Sequence, residues 1–218
     1  MNNFSPNMLK NFDQCQQKFC FKYVEKISMP QKPEIFEKGK KIHALANYFL
    51  NKNDISKMEQ TLTQAEKTDW EALKSNKYMS FEPVVTEHNL SCKIGDFWVG
   101  GRLDAIVKQG NDYFILDYKT GNIPQNPQND FQTMVYLLAA DKIFKQKNIP
   151  VNSITFVYIG LKQGEEKSIL FNEDLKKTYE ENLKEICKKI DFTCDAKVFS
   201  KTLTACKYCE YNKICYKD

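Results

Sequence analysis

The chain has 218 residues and a formal net charge of +4 at pH 7, with 42% hydrophobic and 28% charged residues. This is the composition of a globular protein, and it excludes a disordered chain. No apolar run reaches the roughly 20 residues that a membrane-spanning helix needs, and the polar start of the chain argues against a secretory signal, so we expect a cytoplasmic protein with no membrane partner.

The first third of the chain has hydrophobic residues at helical spacing. Ser5 and Pro6 are typical of a helix start, and the apolar positions that follow predict one helix that continues through Val24. Two further helices are predicted at about residues 34–50 and 57–75.

The hydrophobic period then changes to that of strands. Strands are predicted at residues 83–90, 97–107, 113–119, 153–159 and 167–171, with helices at about 128–145 and 173–190. Strands flanked by helices, with a hairpin before a crossover helix, predict an α/β fold with a mixed sheet.

The length suits one domain. We expect a single domain, 1–218, in three parts: an N-terminal helical part (1–78), a catalytic sheet core (79–172), and a C-terminal helix with a cysteine-rich tail (173–218).

Two predicted strands carry acidic residues near their ends, Asp104 on one and Asp117 on the next. Asp117 and Lys119 share one face of their strand, and Tyr118 points to the other face. If the strands are hairpin neighbours, Asp104 lies beside Asp117, and paired carboxylates suit a hard cation such as Mg²⁺. Lys119 would orient a water or offset charge in a transition state. An Asp-x-Lys pair is also common as a surface ion pair.

Arg102 is the only arginine among the 32 basic residues, and it lies two residues before Asp104. Its planar guanidinium can hold a phosphate in a way that lysine does not, so it is a candidate DNA contact, with a chance surface position as the alternative.

Four short motifs follow one another along the chain. They are Gly39-x-x-x-His43, Gly101-x-x-Asp104, Asp117-Tyr118-Lys119-Thr120-Gly121 and Gln132-x-x-x-Tyr136. With the opening stretches Phe4–Leu9 and Phe12–Phe19 and the last three cysteines, this order resembles the RecB-like branch of the PD-(D/E)XK nuclease superfamily, which includes CRISPR-associated exonucleases.

This resemblance implies a restriction-endonuclease-like core and a site for Mg²⁺ or Mn²⁺. The implied metal ligands are His43, Asp104, Asp117 and the main-chain carbonyl of Tyr118. The resemblance implies that Lys119 positions the attacking water, and that Gln132 and Tyr136 support the site or contact the DNA backbone. Glu87 is a weaker candidate, either a supporting acid or, as we prefer, an exposed strand residue.

The chain has eight cysteines, and in the reducing cytosol clustered cysteines predict metal ligands before disulfides. Cys206, Cys209 and Cys215 lie within ten residues, a spacing that leaves zinc and an iron–sulfur cluster both open. The resemblance implies a structural [4Fe–4S] cluster with Cys15 as fourth ligand, clasping the N- and C-termini together. Cys20 is the competing ligand, but five residues along a helix put it off the face of Cys15.

The resulting hypothesis is a metal-dependent DNA exonuclease that acts on single strands or ends, in DNA repair and recombination or in CRISPR spacer acquisition. Its expected partners are DNA and either a helicase or CRISPR adaptation proteins. The alternative is a non-catalytic DNA-binding or assembly subunit, stabilised by an iron–sulfur cluster or by zinc.

Overall fold

The computed structural model of the chain describes residues 3–30, 33–162 and 164–215. The N-terminal third is helical, as predicted, but in more segments. Its elements are strand β1 (Asn3–Phe4), helices α1 (Pro6–Gln14) and α2 (Gln16–Phe19), a π-helical turn (Cys20–Val24), and helices α3 (Pro33–Leu50), α4 (Ser56–Gln60) and α5 (Gln64–Lys74).

The prediction of one continuous first helix is wrong. Cys15 has extended dihedral angles (φ −166°, ψ 115°), and its amide N–H donates to the Asn11 carbonyl to close α1. The periodicity continues across this break, because Phe12 and Phe19 both pack in the core. The predicted helix 57–75 is also interrupted, because Thr63 begins α5 with a capping box.

The remaining elements follow the predicted order. After a 3₁₀ turn (Lys77–Ser80) come β2 (Glu82–Ile94), β3 (Phe97–Gln109), β4 (Asp112–Lys119), a second 3₁₀ turn (Pro127–Asn129), α6 (Phe131–Gln146), β5 (Ser153–Gly160), β6 (Glu165–Leu170), α7 (Glu173–Ala196), a third 3₁₀ turn (Leu203–Tyr208) and α8 (Asn212–Cys215). β2 is longer than predicted, and Asp104 lies within β3 rather than at its end. Among the described helices, none combines the length and the hydrophobicity that a membrane span requires.

The described strands form one mixed sheet in the order β1-β3-β4-β5-β6, and β2 also pairs with β3. β2, β3 and β4 are successive antiparallel neighbours, β4 and β5 are parallel, and β5 and β6 are antiparallel. α6 makes the crossover between the two parallel strands. The α/β fold with a mixed sheet flanked by helices is thus confirmed.

Two hydrophobic cores lie on opposite faces of the sheet. The first core joins the sheet to α1, α2, α6 and α7, and the second joins it to α3 and α5. Helices from both layers therefore reach the same strands.

β2 and β3 break their alternation at the same level. Residues an odd number of positions apart in a regular strand face opposite sides of a sheet. Two such pairs nevertheless contact the first core: Val85 and Leu90 in β2, and Leu103 and Ile106 in β3. Between them lie Glu87, which has a left-handed φ of 46°, and Asp104. In both strands, therefore, the alternation of side chains between the two faces of the sheet shifts by one residue at the level of these two acids.

Candidate functional site

A histidine from α3 reaches two neighbouring strands. His43 Nδ1 lies 3.0 Å from Asp104 Oδ1 in β3, and His43 Nε2 lies 3.1 Å from the main-chain carbonyl of Tyr118 in β4. The other Asp104 oxygen accepts a hydrogen bond of 2.8 Å from the Tyr118 amide. Three of the four predicted metal-ligating groups are therefore in direct contact.

Glu87 also lies beside these residues, although the sequence favoured an exposed strand position for it. The residues flanking it in β2, Thr86 and His88, pair with the residues flanking Asp104 in β3, so the two acids lie opposite each other. Ligand atoms of His43, Glu87 and Asp104 all lie within 4.8 Å of one another. Glu87 therefore lies where its carboxylate could contribute to a cation site.

Asp117 lies at the centre of a second set of contacts. Its Oδ2 lies 2.7 Å from Lys119 Nζ, and its Oδ1 accepts a hydrogen bond of 3.1 Å from Gln132 Nε2. Gln132 Oε1 accepts a 2.8 Å hydrogen bond from Lys119 Nζ, which closes a triangle. The prediction that Asp117 and Lys119 share a face is confirmed. The same triangle brings in the predicted Gln132 from α6.

The charges of the site alter its proton affinities. Burial raises the pKa of Asp117 to about 6, with Lys119 opposing this change and the nearby Asp104 adding to it. Burial alone would lower the pKa of His43, but Asp104, Asp117 and Glu87 outweigh it, and the pKa is raised. The acids therefore create a negative field that a proton or a cation stabilises.

The residues present fit a hard divalent cation. Carboxylate and carbonyl oxygens with one imidazole are suitable ligands for Mg²⁺ or Mn²⁺. Asp117 is only 6% exposed, and its Oδ2 has the close Lys119 ammonium but no well-aligned hydrogen bond. The group of His43, Glu87 and Asp104 does not include Asp117, but a cation bound there would reduce the repulsion between Asp117 and Asp104.

The two predicted DNA contacts differ in exposure. The Arg102 side chain is 64% exposed, and its Nε donates to Glu87 Oε2 at 2.7 Å. It lines an open groove of about 600 Å³ beside His43 and Thr120. Tyr136 is buried, and its hydroxyl donates to the Arg102 carbonyl at 3.0 Å, so its placement favours support of β3 over contact with DNA.

The predicted cysteine ligands also lie close together in the structure. One small cavity is lined by all four of them, Cys15, Cys206, Cys209 and Cys215. Cys20 does not line it, and its thiol instead donates to Glu25 Oε1 at 3.2 Å. The structure thus groups the four predicted ligands without the competing cysteine.

The chain matches the family model of the PD-(D/E)XK nuclease superfamily over residues 56–216. This stretch includes the Gly101-x-x-Asp104, Asp117-Tyr118-Lys119 and Gln132-x-x-x-Tyr136 motifs, whereas His43 precedes it. No curated protein matches the sequence at a significant level.

Among the solved structures that are similar to this chain are the following two. One is described as a "putative exonuclease" from Eubacterium rectale, with a TM-score of 0.62, 8% identity, and coverage of 98% of this chain and 88% of that one. The other is the protein SSO0001, with a TM-score of 0.48, 17% identity, and coverage of 99% and 87%. At 8% identity the first likeness shows the fold alone. The family match covers more than half of the chain, and the chain therefore belongs to the PD-(D/E)XK nuclease superfamily.

Proposed function

We propose that this chain is a divalent-cation-dependent deoxyribonuclease of the RecB-like branch, an exonuclease that hydrolyses phosphodiester bonds of single strands or DNA ends. The observation that carries the proposal is the convergence of His43, Glu87 and Asp104 beside the triangle of Asp117, Lys119 and Gln132. A superfamily fold without catalysis would have no need for this grouping of acids next to a lysine.

In this proposal His43, Asp104, Asp117 and the Tyr118 carbonyl hold the cation, with Glu87 as a supporting acid. Mg²⁺ or Mn²⁺ bound there would lower the pKa of water and stabilise negative charge on the scissile phosphate. The chain's own contribution is to keep these ligands in place, since Asp104 both faces His43 and accepts the Tyr118 amide.

Lys119 is the residue that positions the attacking water. An ammonium group has three donors. One donates to Gln132, and the Asp117 carboxylate lies 2.7 Å away as an ion-pair partner, so the ammonium keeps a donor for a water molecule. The ammonium also lies 5.6 Å from the centre of the Tyr158 ring, which further fixes its position.

The test is cleavage of end-labelled single- and double-stranded DNA with Mg²⁺ or Mn²⁺. Asp117→Asn and Lys119→Ala are each expected to reduce the rate at least about 100-fold. Lys108→Ala is the matched control, because Lys108 lies in the same sheet and pairs with Glu82 at 3.2 Å. Wild-type protein that binds DNA in EDTA but never cleaves it with either metal would instead be a non-catalytic binding subunit.

We further propose a structural [4Fe–4S] cluster held by the four cysteines of the small cavity. The chain ends already meet there. The Gln17 amide donates to the Ser200 carbonyl at 3.0 Å, and Lys18 pairs with Glu210 at 3.2 Å. A cluster at this point would clasp α2 to the tail.

The spacing of the cysteines along the chain suits zinc and an iron–sulfur cluster alike. The cluster is proposed over zinc because the resemblance to the RecB-like branch implies it.

Anaerobic purification followed by absorption spectroscopy and by iron, sulfide and zinc analysis tests this cofactor. Cys15→Ser should lose the cluster, and Cys20→Ser should keep it. A colourless protein that contains zinc and no iron would refute the cluster, as would an unchanged spectrum in Cys15→Ser.

Within the family we propose a single nuclease domain over 1–218, working in the cytoplasm in DNA repair and recombination or in CRISPR spacer acquisition. All eight cysteines are free, which suits a reducing compartment. A helicase or CRISPR adaptation proteins are the proposed partners, and the genes that neighbour this one would distinguish the two settings.

A further inference from the structure

An open strip of sheet leads away from the candidate site. Trp98, Gly100 and Arg102 alternate along β3, before the point where its side-chain alternation shifts at Asp104, so they face the same side. Val99 and Leu103, which alternate with them along the strand, are buried in the first core. The strip therefore lies on the opposite side of the sheet, the side on which α3 carries His43.

The paired strand β2 supplies the second half of this strip. Asn89, Ser91 and Lys93 pair with Arg102, Gly100 and Trp98, respectively, and all three are exposed. We call these six residues the open strip.

At the middle of the open strip, Gly100 packs so closely against β2 that no side chain fits at its position. A Cβ atom at this position would lie 2.5 Å from the Leu90 carbonyl oxygen and 2.5 Å from Ser91 Cβ. A groove of about 600 Å³ crosses this point and is bordered by Trp98, Ser91 and Ser5. A second, separate groove lies nearer the candidate site and is lined by Arg102 and His43.

Trp98 stands at the far end of the open strip. It is 48% exposed, whereas Trp70, the other tryptophan, is 1% exposed and packed in the second core. A single exposed apolar residue is common on protein surfaces. The features that distinguish Trp98 are its position beside a groove, the exposed cations Lys93 and Arg102, and a strand that runs directly to Asp104.

We propose that Trp98 is a stacking platform for a base of single-stranded DNA, and that the open strip guides this strand to the candidate site. This inference rests on the proposed function and adds that the DNA reaches the candidate site as a single strand. The six residue-to-residue steps of strand from Trp98 to Asp104 span about 20 Å. That is the length of about six stacked nucleotides, and fewer when the strand is extended. Aromatic stacking with cationic neighbours is a sequence-tolerant way to bind single strands.

The first test uses the fluorescence of the two tryptophans, with binding measured both in EDTA and in Ca²⁺. Oligothymidylate should quench the emission of the wild-type protein. The quenching should persist in Trp70→Phe and disappear in Trp98→Phe. Quenching that disappears in Trp70→Phe and persists in Trp98→Phe would overturn the proposal.

The second test measures the affinity of labelled oligothymidylate by anisotropy. Trp98→Ala should weaken binding about 5- to 150-fold, while Trp98→Phe keeps a ring and should stay within about threefold of wild type. On an oligonucleotide with an abasic tract, Trp98→Ala and wild type should bind alike. An equal loss on the abasic strand, or no loss on either, would refute stacking.

The two proposals fail in different ways. If the protein binds single strands through Trp98 but never cleaves them, the nuclease proposal fails and the stacking platform stands. If it cleaves and Trp98→Ala binds and cleaves like wild type, the stacking platform fails alone. Wild-type protein that binds no DNA under either condition would overturn both.

Discussion

Replacing Asp117 with asparagine should stabilise the metal-free protein while removing its activity. Burial raises the pKa of this carboxyl from 3.8 to about 6. The folded chain therefore keeps the proton more tightly than the unfolded chain. The stabilisation of the folded state by this tighter proton binding is complete below about pH 4 and is lost as the pH rises to about 6. A pKa difference of about two corresponds to about 3 kcal/mol of unfolding free energy at pH 8.

Urea unfolding in EDTA measures this effect. Asp117→Asn should be more stable than wild type by about 3 kcal/mol at pH 8 and by roughly half of that at pH 5. Asp96→Asn, the same chemical change at the exposed turn between β2 and β3, should have no effect at either pH. Mn²⁺ should stabilise wild type and not Asp117→Asn. A folded Asp117→Asn protein that is less stable than wild type at pH 8 would refute the argument.

Three other substitutions test separate contacts. Gln132→Ala leaves Lys119 with one acceptor, and the rate of cleavage should fall about 10- to 100-fold with little change in DNA affinity. Tyr118→Phe removes a buried hydroxyl that has no partner among the described residues but keeps the main-chain carbonyl, so the unfolding free energy should stay equal or rise by about 1 kcal/mol, with activity retained. Glu87→Gln should weaken Mn²⁺ binding about 10- to 100-fold by calorimetry, and unchanged affinity would exclude a role at the cation.

The acid–lysine pairing was predictable because it depends only on strand alternation. Asp117 and Lys119 are two apart, so any strand places them together. Glu87 is different, because its role depends on hairpin register. The tight turn at Gly95 and Asp96 pairs Ile94 with Phe97 and sets Glu87 opposite Asp104. Counting back from that turn would have found it, but the left-handed φ that completes its placement has no sequence signal in a glutamate.

Helix boundaries were harder to predict than helix positions. The break at Cys15 leaves the hydrophobic period intact, because α2 continues to bury Phe19. The interruption before α5 was visible in principle, since Thr63 and Glu66 form a capping box at the spacing typical of a helix start. Periodicity indicates which face is buried, whereas the ends depend on local main-chain partners.

The candidate site lies where the two cores meet, which explains why helices from both layers contribute side chains to it. His43 comes from the helix layer of the second core, and Gln132 comes from that of the first. His43 reaches Asp104 and Gln132 reaches Asp117 from opposite sides of the sheet, because the side-chain alternation of β3 shifts at Asp104. The last β3–β4 pair is Ala105 with Leu116, and beyond it the Asp104 carboxylate accepts the Tyr118 amide. One acid thus replaces a main-chain partner of the sheet and also faces the histidine, so substitutions at Asp104 should disturb sheet and site together.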